Sequence, residues 1–265
     1  MSNYDLQSHK TKYTFFTLCF VFLFVSSSLS AEITSISEAI NKAGKQRMIT
    51  QRMLKDYALI GMNNTYGNPK EDLPKMITLF DTTLKELQAF VKDKDAQESL
   101  FKVTGLWKNV KQTLETAPLK EKVLALKKEI EKLLKEANNS TNLIVKATGT
   151  NTGEIINISG RQRMLSQRMA SLYMLKVWEV ESEEIDVALA NAIKEFDTAQ
   201  KKLLSSDLNT DEIKKRLANS KKSFMFFKMM GNSKSKKFIP SLINRSANKI
   251  LKDMNAATEL YAAIK

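Results

Sequence analysis

Cysteine and histidine are almost absent from this chain of 265 residues: there is one of each, Cys19 and His9, and both fall within the first thirty positions. Beyond them the sequence has neither a thiol nor an imidazole. This excludes a disulfide framework, a thiol nucleophile, an imidazole base and any His or Cys metal site. Carboxylate catalysis stays open in principle but has no motif behind it, so the chain reads as a non-enzyme that uses no cofactor and no metal. Glycine and proline are scarce as well, at eight and four. Pro69, Pro74, Pro118 and Pro240 stand near the starts of long periodic segments, where a helix tolerates them, and Leu, Lys, Ala, Met and Glu fill the interiors. The fold class expected is all-α.

Acidic residues are also in deficit, 29 against 42 lysines and arginines, for a formal net charge of +13. A basic protein seeks anions. Nucleic acid is not the expected partner, because the lysines are spread along the helices instead of being gathered into a patch with aromatics. At 43% hydrophobic and 27% charged, the composition is that of a globular protein with a substantial core.

Long apolar runs are confined to the N-terminus. A polar start with Lys10 and Lys12 precedes an apolar stretch from Tyr13 to Val25 and then Ser-Ser-Ser-Leu-Ser-Ala, the pattern of an export signal over residues 1–30, cut between Ser30 and Ala31. Thirteen apolar residues are short for a membrane span. The mature chain is therefore expected to be periplasmic with no stable membrane span, the alternative being an N-terminal anchor. Removing Lys10, Lys12 and Asp5 with the leader leaves a charge of +12.

What the sequence does have is one stretch written twice. Residues 40–59, INKAGKQRMITQRMLKDYAL, and residues 156–175, INISGRQRMLSQRMASLYML, align without a gap at an offset of 116 and are identical at eleven of twenty positions. On a helix, Ile40, Gly44, Arg47 and Gln51 form one stripe, as do Ile156, Gly160, Arg163 and Gln167. Glycine inside a helix costs about 0.5–1 kcal/mol relative to alanine, and its usual return is the close approach of another backbone or a ligand. Arg47 and Arg163 have no carboxylate three or four residues away in either direction, so no partner on the helix neutralises them. Alanine at either position is accordingly expected to leave melting nearly unchanged. Arg52 differs in having Asp56 four residues on, and is expected to pair with it.

The duplication extends further. Phe196, Asp197 and Thr198 match Phe80, Asp81 and Thr82 at 116, and Leu251, Lys252, Asn255, Thr258 and Leu260 match Leu134, Lys135, Asn138, Thr141 and Leu143 at 117. Each copy supports four amphipathic helices. In the first they run from a capping box at Ser35 and Glu38 to about Asn63, then over about 71–92, 96–115 and 118–146. Asn151 with Glu154 is expected to cap the second motif helix. Two tandem antiparallel four-helix bundles follow, residues 31–149 and 150–265, forming an intramolecular pseudo-dimer. Met48, Met53, Met164, Met169, Trp107 and the Phe224, Phe226, Phe227 cluster are expected in the core.

The Ala-Gly-x-x-Arg-Met-x-x-x-Arg pattern resembles the motif helix of the PilJ-type and NarX-type N-terminal sensor domains of pilus-linked chemoreceptors and nitrate-sensing histidine kinases. Residues 40–48 and 156–169 carry the resemblance. In the kinase members it implies a four-helix bundle that dimerises through its first helix and holds one nitrate between two copies of the motif arginine. Carried over, the anion site comprises Arg47, Arg163, Gly44 and Gly160, with Gln51, Gln167, Arg52 and Arg168 as possible supporting residues. Ser159 departs from the pattern where the first copy has Ala43, and Ile158 replaces Lys42. No kinase, methyl-accepting or linker domain is recognisable after the second copy. The expected function is an exported sensor of a small anion, nitrate or nitrite first, signalling through a membrane sensor kinase or chemoreceptor in trans. The alternative is an envelope scaffold of the same fold, associated with a pilus or receptor, that binds no anion.

Overall fold

The computed structural model describes residues 32–231 and 239–264. The leader expected over residues 1–30 lies outside the described residues. Eight helices account for nearly all of the rest: α1 Ile36–Gly61, α2 Pro69–Phe90, α3 Lys94–Leu114, α4 Val123–Thr148, α5 Asn151–Val177, α6 Glu183–Leu204, α7 Asp211–Gly231 and α8 Pro240–Ala262. No strand occurs among the described residues, and none of the described helices is long and apolar enough to cross a membrane.

Local chemistry sets the ends. The Ser35 hydroxyl accepts from the Glu38 N–H, and the Glu38 carboxylate reaches back to the Thr34 N–H, closing the expected box one residue early. At α5 the cap is Thr150, whose hydroxyl accepts from the Gly153 N–H. The expectation of Asn151 is corrected by one residue, because Gly149 takes the left-handed conformation (φ 60°) and turns the chain one step sooner. After Pro118 a single 3-10 turn, Lys120–Lys122, intervenes before α4.

Each half is a ring of four helices. In the first, α1 packs on α2 and α4, and α3 packs on α4; in the second, α5 packs on α6 and α8, and α7 on α8. Paired details show the internal symmetry. Phe80 stacks on Trp107 and Phe196 on Phe224, both with ring centroids 4.3 Å apart. The Tyr57 hydroxyl accepts from the Leu119 N–H and the Tyr173 hydroxyl from the Ile239 N–H, each at 3.1 Å, so each motif tyrosine fixes the chain entering its fourth helix.

The two motif helices, α1 and α5, lie along one another more extensively than any other pair. Packed on several sides, they bury polar as well as apolar residues over most of their length, and Met48, Met53, Met164 and Met169 are all in the core. Phe224 and Phe227 are buried as expected. Phe226 is not: it is 38% exposed, on the outward side of α7, because only one face of that helix meets the bundle.

Candidate functional site

The centre of the α1–α5 seam is the point where the two glycines meet. A Cβ placed on Gly44 would lie 3.6 Å from the Gly160 Cα, 2.9 Å from Arg163 Nη2 and 3.4 Å from Arg47 Nη2. A Cβ on Gly160 would meet the same two guanidinium nitrogens at 3.1 and 3.5 Å. The glycines therefore let two backbones approach and leave room for two cationic side chains crossing over them.

Both arginines are fully buried, at 0% and 2% exposure. Each reaches across the seam. Arg47 Nη2 donates to Asn157 Oδ1 (2.7 Å) and to the Asn157 carbonyl (3.2 Å), and Nη1 donates to Asn138 Oδ1 on α4 (2.7 Å). Arg163 mirrors this, donating from Nη1 to Asn41 Oδ1 (2.7 Å) and Asn255 Oδ1 on α8 (3.4 Å), and from Nη2 to the Asn41 carbonyl (2.9 Å). Four asparagines at duplicated positions thus receive two guanidinium groups. Neither arginine forms an ion pair among the described residues, and the Nε of each is buried without a partner.

These partners correct one expectation. Arg47 and Arg163 lack partners on their own helices but have them across the seam, so alanine there would strand several buried amide oxygens, and melting should not stay unchanged.

The electrostatics follow from burial. Desolvation pushes the Arg47 guanidinium down to about 9, the nearby charges of Arg161 and Arg163 push the same way, and Glu195 opposes them. Desolvation lowers Arg163 to about 10, opposed by Glu259. Both remain charged at neutral pH. Lys45 is also lowered, first by burial and then by Arg163. The seam holds more positive charge than its surroundings neutralise.

The remaining sequence-derived candidates lie off this point. Gln51 and Gln167 are buried one turn on; their amides face the Thr50 and Ser166 hydroxyls, and Gln167 Oε1 accepts from Lys55 Nζ at 3.0 Å. Arg52 pairs through two hydrogen bonds with Asp72 of α2, at 2.5 and 2.8 Å, and not with Asp56. Tertiary packing supplies a better-aimed carboxylate than the next helical turn. Arg168 pairs with Glu131 of α4 at 2.6 Å. Neither Arg52 nor Arg168 hydrogen-bonds at the glycine contact.

Sequence reasoning assigned no role to the asparagines. Asn41 and Asn157 are identical within the motif, and Asn138 and Asn255 are identical at an offset of 117, so the signal was a polar identity repeated in both copies. Asn138 also accepts from Arg161 Nη1 at 3.1 Å and lines a groove of about 490 Å³ between α4, α5 and α6. Solvent thus comes within one side chain of Arg47.

The family model for the N-terminal region of type IV pili methyl-accepting chemotaxis transducers, PilJ, matches residues 29–133 and 145–221, one segment in each half. The chain belongs to the PilJ family. Membership carries a role in sensing or signalling, and the two segments agree with a tandem of PilJ-type units. Comparisons with curated proteins and with solved structures gave no match.

Proposed function

We propose that this PilJ-type chain is an exported sensor of a small inorganic anion, nitrate or nitrite first, whose two halves act as the two subunits of one site. One observation carries the reading: two buried guanidinium groups converge over the Gly44–Gly160 contact, and every acceptor they use is neutral. Like charges this close repel in a low-dielectric interior, and a planar monoanion would accept from both while cancelling much of that repulsion. The asparagines suit the exchange. Their oxygens accept from the guanidinium groups, and a turn of the terminal amide would aim the NH2 at an anion. Charge-assisted hydrogen bonds contribute roughly 1.5–3 kcal/mol each, enough for micromolar to millimolar affinity after ordering costs.

Titration calorimetry of the protein with nitrate, nitrite, sulfate and chloride tests this. One nitrate or nitrite per chain, lost in Arg47→Ala and in Arg163→Ala, is the expected result; no heat with any anion rejects the site. One observation favours a second reading, an interaction module without a ligand. Each guanidinium also grips a main-chain carbonyl of the opposite helix, as a purely structural clasp would. The same titration separates the two.

Signalling is proposed to run through a second protein, a membrane sensor kinase or chemoreceptor. An anion shifts an equilibrium only by its differential affinity for two states, and coupling of the usual 1–3 kcal/mol would change partner affinity roughly 5- to 150-fold. Pull-downs from envelope extracts with and without nitrate check it: equal recovery of the same partners would contradict ligand-coupled signalling.

A further inference from the structure

The outer face of α7 and α8, which plays no part in the seam, carries an excess of positive charge. A groove of about 720 Å³ runs between these helices, lined by Arg216 and Lys222 from α7 and by Arg245, Lys249 and Lys252 from α8, with Asp253 as its one lining carboxylate. Arg216 is held by Glu212 at 2.7 Å and lies 3.6 Å from Asp253. The other four cations have no carboxylate within ion-pair distance among the described residues. The expectation of lysines scattered without aromatics fails here, because Phe226 lines the same groove.

Beside these charges stand apolar side chains that the fold leaves in water. Met225 is 62% exposed, Met229 65% and Phe226 38%. With 3.6 residues per turn, Met229 projects within about 20° of Lys222, Phe226 about 40° to one side and Met225 about 60° to the other. Cations and long apolar side chains therefore share one outward stripe. The stacked pairs Phe80–Trp107 and Phe196–Phe224 equate α3 with α7 at an offset of 117, and the equivalents of Met225, Phe226 and Met229 are Lys108, Asn109 and Gln112. The first half thus carries polar residues where the second carries apolar ones. The family match ends at residue 221, just before this stretch.

We infer that the α7–α8 face is a membrane-surface docking site for anionic phospholipid, with Lys222, Arg245, Lys249 and Lys252 against headgroup phosphates and Met225, Phe226 and Met229 entering the acyl boundary. A soluble polyanion would satisfy the cations but gives the methionines nothing; a lipid surface uses both. The groove is large enough to take a glycerophosphate headgroup. The inference is independent of the anion site at the seam.

Co-sedimentation with vesicles tests it, comparing phosphatidylglycerol–phosphatidylcholine mixtures with pure phosphatidylcholine. The readout is the ratio of the two partition coefficients, so that the apolar run at residues 13–25, common to every variant, does not decide the result. A wild-type ratio well above one that falls as salt rises is expected. Each basic residue near an anionic surface is worth roughly fivefold in partitioning, so Lys249→Glu with Lys252→Glu should lower the ratio by more than about 20-fold. Met225→Ser with Met229→Ser should lower absolute binding to the anionic vesicles several-fold. Circular dichroism checks that both variants fold, as exposed positions should allow. A ratio near one for the wild type overturns the inference. So does full binding by the methionine variant with complete competition by inorganic polyphosphate, which would make the groove a site for soluble polyanions.

Discussion

Among single residues, the buried arginines are where function and stability oppose each other. A buried charge with no carboxylate costs desolvation that neutral acceptors repay only in part. Arg47→Met, which keeps the length of the side chain, removes that cost but leaves the Asn138 and Asn157 oxygens without their donor, so stability without anion should fall by about 1–3 kcal/mol. It should also abolish the anion-dependent rise in melting temperature, worth about 2.7 kcal/mol at one hundred times Kd. Thermal scans with and without nitrate measure both; an undiminished nitrate shift in the variant would remove Arg47 from the site. Gly44→Ala tests the geometry instead. Its Cβ would press on Arg163 Nη2 at 2.9 Å, so anion affinity should fall about tenfold or more, while better helix propensity offsets part of the strain. A second cluster, present only in the first half, gives a pH prediction. Asp56 is buried beside Lys55 and Asp72, and desolvation pushes its carboxyl from 3.8 up to about 8, against the pull of Lys55. The folded state then keeps a proton that the unfolded chain releases, so this stability is fully present below about 3.8 and is lost as pH rises towards 8. Urea unfolding of wild type and Asp56→Asn across that range should show the difference between them shrinking at low pH. Gly44 and Arg47 were legible because a repeated exception to helix chemistry is visible in one dimension. Asp72 as the partner of Arg52 was not, since a sequence displays neighbours along a helix and not those delivered by another one.

For the helices themselves, periodicity predicted what packing later used. Leu84, Leu87, Val103 and Val110 line the apolar stripes of α2 and α3 and are all buried, and helix ends moved by only a few residues. The faces that turned out unusual were those where periodicity carries little information. In α1 and α5 nearly every side is covered, so the buried set includes Gln46, Gln162 and Thr50, which an amphipathic reading assigns to solvent. In α7 the reverse holds, with Met225 and Met229 apolar but exposed. The far end of the seam has its own close contact. Gly61, the last residue of α1, lies under the Trp178 ring at the end of α5, and a Cβ there would sit 2.2 Å from the ring. Gly61→Ala should cost about 1–3 kcal/mol through forced displacement of the indole, with a matching change in tryptophan fluorescence. An unchanged melting curve would mean that Trp178 moves aside freely and does not fasten the seam.

As a whole, the molecule is two similar halves packed along the α1–α5 seam and joined by the short connection through Gly149 and Thr150. Everything the seam needs from one half is present in that half: Gly44 for the close approach, Arg47 as donor, Asn41 as the acceptor across the contact and Asn138 as the acceptor behind it. If the two halves are equivalent in this respect, residues 32–149 expressed alone should associate through α1, with each Arg47 donating to Asn41 of the other copy. The alternative is costly, since a monomer would expose the face of α1 that carries Ala43, Gly44, Arg47 and Gln51, all buried in the intact chain. Sedimentation velocity should find a dimer whose dissociation is weakened by Asn41→Ala, and nitrate should strengthen the association if two copies of Arg47 suffice to hold it. The second half alone is a poorer candidate for a matched pair. It lacks the Lys55–Asp56–Asp72 cluster, having Ser171, Leu172 and Ala188 at those positions, and its Arg168 relies on Glu131 from the first half. Residues 150–265 should accordingly show weaker self-association than residues 32–149, and mixing the two fragments should favour the heterodimer over either homodimer. Equal self-association of both fragments, with no preference on mixing, would mean that the asymmetric charges contribute nothing to holding the halves together and that the glycine contact alone suffices.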